Sequence, residues 1–131
     1  MTDMSSSPLL NRVDGVFIHV RNLRRAAEWY SAAFGVPLKE EELQRHYYTL
    51  NVSGEQPWVT LDDHGADPAF EFQPAAHPIL SFHSRDLSAA REHLRTLGAL
   101  SVGEIEEAHP GLAYFVFRDP DGNALMALQR S

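Results

Sequence analysis

The sequence predicts an α+β fold built from two βαβββ modules, and three observations predict it. Residues 19–33 share five identities with residues 83–97 at a constant offset of 64 positions. In each copy an apolar strand pattern precedes a pattern of helical period, and three more strand patterns follow the helix. A repeat of this length is a duplicated supersecondary unit. We therefore expect a ligand site between the copies.

The first module is predicted to span residues 13–72. Its opening segment, 13–20, is apolar at nearly every position, which predicts a strand buried on both faces. Asn22 is a suitable helix N-cap, and Gly35 is expected to end the helix. Three strands are predicted after it, at Leu38–Leu43, Tyr47–Val52 and Trp58–Asp62, with Ser53-Gly54 as a hairpin turn between the last two.

The second module is predicted at residues 79–131, after a linker at 73–78 that is rich in proline and alanine. Asp86 is the expected N-cap of its helix, and Gly98 is expected to end that helix. The strands of this module are predicted at Ile79–His83, Val102–Ile105, Leu112–Arg118 and Ala124–Gln129, and the turn Asp119-Pro120-Asp121-Gly122-Asn123 joins the last two.

Length and composition narrow the function. A chain of 131 residues with 44% hydrophobic residues forms one globular domain. The net charge of −7 argues against nucleic acid and anionic membranes as partners. The lack of cysteine excludes disulfides and zinc–thiolate sites. Residues 1–12 are expected to form a flexible tail without the apolar core of a signal peptide, and we expect a cytoplasmic protein with no membrane span.

Two further motifs carry a family resemblance. The first helix ends in Glu-Trp-Tyr-Ser-Ala-Ala-Phe-Gly at 28–35, and the late turn is Asp-Pro-Asp-Gly-Asn at 119–123. With the paired modules, these motifs resemble the vicinal oxygen chelate superfamily, which includes glyoxalase I, bleomycin-resistance proteins, fosfomycin-resistance enzymes and extradiol dioxygenases. The resemblance covers residues 13–129. It implies a glyoxalase/bleomycin-resistance-type fold with a concave sheet cavity, and a homodimer.

The resemblance also implies where a metal ion would bind. Carried over to this chain, the four ligand positions of the family fall on Gly15, Thr60, Ile79 and Met126. Glycine and isoleucine offer no donor, threonine offers a neutral hydroxyl, and the methionine thioether is too soft for Mg²⁺, Mn²⁺ or Zn²⁺. We therefore expect no metal at these positions and no cofactor, which disfavours the metal-dependent reactions of the family.

The sequence thus favours a metal-independent protein that binds a small organic molecule, neutral or cationic, in the cavity between the modules. The alternative is a lyase, isomerase or dioxygenase-like enzyme that uses a relocated metal or the His19/His83 pair, and a third possibility is a structural or regulatory dimer. The expected cavity lining is Phe17, His19, Trp58, Thr60, Ser81, His83, Phe115 and Met126.

The sequence allows three interpretations of the matching histidines His19 and His83. Each can cap a strand end through a backbone carbonyl, contact a ligand, or serve as an acid/base or metal group. A relocated metal would need a carboxylate nearby, and no strand pattern places one beside both histidines. His64 lies at a strand end next to turn residues and is expected to be solvated.

Overall fold

A computed structural model describes residues 7–50 and 56–131. The first six residues of the expected tail and the predicted Ser53-Gly54 turn lie outside this range. The architecture is α+β, as predicted. The first module contains β1 (Gly15–His19), α1 (Leu23–Phe34), a 3-10 helix (Glu40–Gln44), β2 (Tyr47–Leu50) and β3 (Trp58–Asp62). The second contains β4 (Ser81–His83), α2 (Leu87–Thr96), β5 (Ser101–Val102), β6 (Glu106–His109), β7 (Leu112–Arg118) and β8 (Ala124–Arg130).

Each module forms its own sheet, and in both sheets the first strand lies parallel to the last. The first sheet has the order β1-β3-β2, with Gly15 opposite Trp58 and His19 opposite Asp62. The second has the order β4-β8-β7-β5, with Ser81 opposite Met126, and β6 also pairs with β7. In each module, this parallel pairing places the first strand beside the last strand.

The prediction of a strand at Leu38–Leu43 is wrong, because this segment leads into the 3-10 helix at Glu40–Gln44. Three consecutive glutamates are poor strand formers. Glu40 also accepts two hydrogen bonds from the guanidinium of Arg24 on α1, at 3.0 and 2.7 Å. This pair raises the pKa of Arg24 and lowers that of Glu40, chiefly through the hydrogen bonds.

The second module has one strand more than predicted. Strand β6 at Glu106–His109 is not among the predicted strands, and β5 covers Ser101–Val102 instead of Val102–Ile105. All four residues of β6 are exposed, so the segment carries no apolar alternation from which a strand can be predicted. Gly111, with a φ of 92°, makes the turn from β6 into β7.

The prediction that β1 is buried on both faces is also wrong. Ile18 is fully buried against the helix layer, whereas Phe17 is 62% exposed on the opposite face. Successive side chains of a strand point to opposite faces. The first sheet therefore has one packed face and one open face.

Both helices begin and end as the sequence predicts. The side-chain oxygen of Asn22 accepts a hydrogen bond from the backbone N–H of Arg25, and Asp86 accepts one from Ala89. Gly35 follows α1 in the left-handed conformation, with a φ of 66°. Neither helix in the described part of the chain combines the length and apolarity needed to cross a membrane.

The turn at 119–123 joins the two modules. Asp119 is buried and accepts a hydrogen bond of 2.6 Å from the Tyr30 hydroxyl of α1. Asn123 donates through its side chain to the carbonyl of His19, at 2.8 Å. Asp121 accepts from Arg25 at 2.8 Å. Burial, and then the charge of Asp119, raise the pKa of Tyr30 well above its ordinary value. This turn fixes the end of β1, where the candidate site lies.

Candidate functional site

An aromatic cleft lies on the open face of the first sheet. Its walls include Phe17 of β1 and Trp58 of β3, which are 62% and 37% exposed. Thr49 and Thr60 lie at its base, and their hydroxyl oxygens are 2.9 Å apart. The cleft has a volume of about 440 Å³. It gathers three of the predicted lining residues, Phe17, Trp58 and Thr60, in one place.

A second depression, the intermodule groove, lies between the edge strands β1 and β4. Val16 and Val59 line it from the first module, and Ser81 and His83 line it from the second. Phe34, at the end of α1, packs against Phe82 of β4 with ring centroids 4.3 Å apart. The groove has a volume of about 340 Å³ and is mostly apolar. Met126 lies opposite Ser81 in the sheet, so the two side chains share a face.

Phe115 does not line either depression, which corrects the prediction. Its side chain is fully buried and packs near Phe117, with ring centroids 6.0 Å apart. Alternation along β7 divides its residues into two faces, but it does not say which face meets the helices. Phe115 lies on the helix side and belongs to the hydrophobic core.

The four family metal positions do not fit a metal ion. A Cβ atom at position 15 would lie 2.9 Å from the carbonyl oxygen of Trp58, so the backbone leaves no room for a larger side chain without movement. The Thr60 hydroxyl already bonds to Thr49. Ile79 precedes β4 and is 39% exposed. Together with the thioether of Met126, these residues offer no suitable set of donors.

The two matching histidines have different surroundings. Within the described residues, no hydrogen bond or ring contact joins His19 to His83. His83 lines the intermodule groove. The Nε2 atom of His19 lies 3.1 Å from Nε2 of His64, and His64 lies 3.6 Å from a carboxylate oxygen of Asp62. The cluster of His19, Asp62 and His64 is called the histidine cluster below.

No sequence pattern predicts a functional role for His64 or Asp62, and the expectation that His64 is solvated is wrong. The His64 side chain is 29% exposed and stacks on Phe70, with ring centroids 3.9 Å apart. The available signal is an Asp-x-His motif that begins at the last residue of β3, the strand that runs parallel to the strand of His19. That signal becomes visible only once the pairing of β1 with β3 is known.

Comparisons with known proteins agree with this architecture. The family model of the glyoxalase-like domain matches residues 15–128. The chain belongs to the glyoxalase-like domain family. This assignment confirms the resemblance to the vicinal oxygen chelate superfamily. A search of curated protein sequences found no match for this glyoxalase-like domain.

Solved structures show the same fold. TnmS3, an antibiotic binding protein from Streptomyces sp. CB03234, is 22% identical, with 93% of this chain and 98% of that chain covered and a TM-score of 0.71. A member of the glyoxalase/bleomycin resistance protein/dioxygenase superfamily from Sphaerobacter thermophilus DSM 20745 is 22% identical, with 92% and 98% covered and a TM-score of 0.70. TioX from Micromonospora sp. ML1 is 15% identical, with 91% and 98% covered and a TM-score of 0.66.

Proposed function

We propose that this glyoxalase-like domain binds a small, flat organic molecule in the aromatic cleft, without a metal ion at the family positions. The observation that carries the proposal is the exposure of Phe17 and Trp58 on one open sheet face. Exposed aromatic rings that line one concave surface are typical of a binding site, because covering apolar surface with a ligand lowers the free energy.

The chemistry of the cleft indicates the class of ligand. Phe17 and Trp58 offer ring faces and edges on which a planar molecule can stack. The hydroxyls of Thr49 and Thr60 supply a polar anchor at the base, and Asp14 adds a carboxylate among the lining residues. With a net charge of −7, the protein favours a neutral or cationic molecule over an anionic one.

Two further observations support the proposal. The residues at the family positions do not provide a set of metal donors, as described above. TnmS3, which has the same fold, is an antibiotic binding protein. The fold therefore accommodates binding of an organic molecule in at least one relative, and the residues of the aromatic cleft give this chain a surface suited to it.

The proposal is tested with proflavine, a flat, cationic and fluorescent molecule. We expect saturable binding with one molecule per chain, unchanged by EDTA, and quenching of tryptophan fluorescence. Phe17→Ala and Trp58→Ala should each weaken binding by about tenfold or more, which corresponds to about 1.4 kcal/mol or more. The measurement is a fluorescence titration, repeated with anionic 8-anilinonaphthalene-1-sulfonate, which should bind more weakly.

Leu100→Ala is the matched control, because Leu100 is an exposed apolar residue outside the cleft. It should leave proflavine affinity unchanged. Equal affinity in Phe17→Ala, Trp58→Ala and the unmodified protein would contradict the proposal. Loss of binding in EDTA would contradict its metal independence.

The proposal includes a homodimer, which the family resemblance implies and which light scattering can test against the chain mass of 14.7 kDa. The same measurement also tests whether the open face of the first sheet contacts a second subunit. If Phe17→Ala turns a dimer into a monomer and leaves proflavine binding unchanged, the exposed aromatic residues serve subunit contact instead of ligand binding.

The second candidate function is an enzyme with a relocated metal. The histidine cluster favours it over an acid/base pair of His19 and His83, because His19 has a second imidazole and a carboxylate within reach while His83 lies in an apolar groove. Stoichiometric Zn²⁺, Ni²⁺, Mn²⁺ or Fe²⁺ in the protein as purified, together with loss of proflavine binding in EDTA, would favour this candidate.

A further inference from the structure

The histidine cluster brings three potential metal ligands to one end of the first sheet. Nε2 of His64 lies 3.1 Å from Nε2 of His19 and 3.6 Å from Oδ2 of Asp62. One ligand atom from each of the three residues falls within 4.8 Å of the other two. Two imidazoles and a carboxylate form a donor set that suits zinc and neighbouring transition metals.

The backbone holds two of the three ligands opposite each other. In the parallel pairing of β1 with β3, His19 lies directly across from Asp62. The backbone N–H of Val20 donates to the carbonyl of Asp62, at 3.0 Å, which continues this pairing by one residue. Asn123 holds the carbonyl of His19 from the second module, at 2.8 Å. Hydrogen bonds within the first sheet and from the second module therefore hold the strand ends that carry His19 and Asp62.

An uncommon backbone conformation places the third ligand, His64, next to the other two. His64 has a φ of 53°, in the left-handed region that residues with a Cβ rarely adopt. Oδ1 of Asp62 accepts a hydrogen bond of 2.8 Å from the backbone N–H of His64, which leaves Oδ2 facing the imidazole. Residues held in such conformations cluster at functional sites.

Phe70 supports both rings of the cluster. Its ring stacks on His64, with centroids 3.9 Å apart and planes within 10°. Its ring meets His19 edge-on, with centroids 5.3 Å apart. Packing of this kind restricts the rotation of the imidazoles and orients them before a metal binds.

The two donor separations that involve Nε2 of His64 are close to those expected around a tetrahedral ion. With Zn–N bonds of about 2.0–2.1 Å, two nitrogen ligands at tetrahedral angles lie about 3.3 Å apart. The observed separations of 3.1 and 3.6 Å fall on either side of that value. The side chains of Asp62 and His64 are 24% and 29% exposed, so water can reach the cluster and supply a fourth ligand. Three protein ligands and one open position are the arrangement of catalytic zinc sites.

We propose that His19, Asp62 and His64 bind a divalent transition-metal ion, with Zn²⁺ as the best match. His19 lies four residues along β1 from Gly15, about 13 Å in a strand, and Asp62 lies two residues along β3 from Thr60, about 7 Å, so the ligands differ from the family metal positions. The metal site goes beyond the proposed function, because it stands whether or not an organic molecule binds in the aromatic cleft.

Binding is tested on the full chain after removal of metal with EDTA and dialysis. Calorimetry with Zn²⁺ should show one ion per chain, and Co²⁺ should give the intense visible absorption of a tetrahedral centre with nitrogen and oxygen ligands. Asp62→Asn, His64→Gln and His19→Gln should each weaken Zn²⁺ binding by about 100-fold or more, since even outer-shell changes cost 10–100-fold. Circular dichroism confirms that each variant is folded.

Two histidines provide matched controls. His83 is the counterpart of His19 in the second copy, and His46 lies beside the cluster, 3.3 Å from Asp63. His83→Gln and His46→Gln should keep Zn²⁺ affinity within about twofold. If they weaken binding as much as His64→Gln, or if the unmodified protein takes up less than one ion per chain, the proposal is wrong and the two imidazoles only share a hydrogen bond.

A cross-test separates this proposal from the proposed function. Phe17→Ala should lose proflavine and keep Zn²⁺, whereas His64→Gln should lose Zn²⁺ and keep proflavine. Failure of Zn²⁺ binding alone overturns the metal site, and failure of proflavine binding alone overturns the aromatic cleft.

Discussion

The two copies of the repeat form the same backbone junction between first strand and helix. Asn22 and Asp86 occupy matching positions, and each accepts a hydrogen bond from the N–H three residues later, at 2.9 and 3.0 Å. Each first strand then pairs in parallel with the last strand of its module. The copies therefore share the geometry of this junction although the capping residue itself differs.

The copies differ in the side chain that faces the repeated histidine. His19 lies opposite Asp62, whereas His83 lies opposite Leu128. Beyond Asp62 the chain folds back and presents His64, while on β8 the next residue, Gln129, accepts a hydrogen bond from the backbone of Leu87. A duplicated histidine thus indicates a shared position in the fold, and its chemistry depends on the strand paired with it.

The largest expected effect concerns the contact that joins the modules. Asp119→Ala removes the acceptor of the Tyr30 hydroxyl and of the backbone N–H groups of Asp121 and Asn123. Because these donors are buried, we expect a loss of about 3 kcal/mol or more in the free energy of unfolding. Urea denaturation followed by circular dichroism measures it.

Asp67→Ala serves as the comparison for a turn inside one module. Asp67 accepts a hydrogen bond from the N–H of Ala69 in an exposed turn. Its removal should cost about 1 kcal/mol or less, because water can replace the lost partner. Equal losses in the two variants would mean that the 119–123 turn contributes nothing beyond its local structure.

The next effect depends on a residue that only the first copy has. Tyr30 corresponds to Leu94 at the offset of 64 positions, so only α1 carries a buried phenol there. The raised pKa of Tyr30 means that its stabilising contribution is complete below the unfolded pKa of about 10 and is lost as pH rises above it. We expect unfolding free energy to fall in this alkaline range.

Tyr30→Phe isolates that contribution. At neutral pH it should lower the free energy of unfolding by about 1–2 kcal/mol, because Asp119 loses a hydrogen bond. Above about pH 10 its stability should fall less steeply with pH than that of the unmodified protein, by up to about 1.4 kcal/mol per pH unit. Urea denaturation at a series of pH values decides this, and parallel slopes would exclude Tyr30 as the group responsible.

Local residues explain why much of the fold could be predicted. The caps at Asn22 and Asp86, the left-handed Gly35 and the turn at 119–123 each depend on side chains within a few residues of one another. Strands β3 and β7 have the predicted limits, because each is a short, mostly apolar run next to a well-marked turn sequence.

The candidate site was only partly predictable because it depends on contacts between distant segments. Phe17, Trp58 and Thr60 line one cleft of the first sheet, because side-chain alternation and the pairing of β1 with β3 place them on one face. The face of Phe115 required knowledge of which side the helices cover. His64 required both the pairing of β1 with β3 and a positive φ at a residue other than glycine.

The smallest expected effect tests whether the two helix caps are equivalent. Asn22→Ala and Asp86→Ala should each lower the free energy of unfolding by about 1 kcal/mol, because each leaves one N–H of the first helical turn without its acceptor. Asp86→Ala should cost a few tenths of a kcal/mol more, about 0.3, since its negative charge also interacts with the helix dipole. Ser88→Ala, an exposed first-turn change on α2, is the control and should have almost no effect.

The difference in free energy of unfolding between the two cap variants tests whether a cap stabilises only its helix or also the residues beside it. Asn22 lies three residues after His19, whose carbonyl is held by Asn123 from the other module. If Asn22→Ala costs about 2 kcal/mol more than Asp86→Ala in urea denaturation, the first cap also stabilises the contact between the modules, and the two junctions are not equivalent. Equal costs would mean that each cap stabilises only its own helix. The contact between the modules would then depend on the 119–123 turn, and the difference in chemistry between the copies would depend on Asp62 and His64.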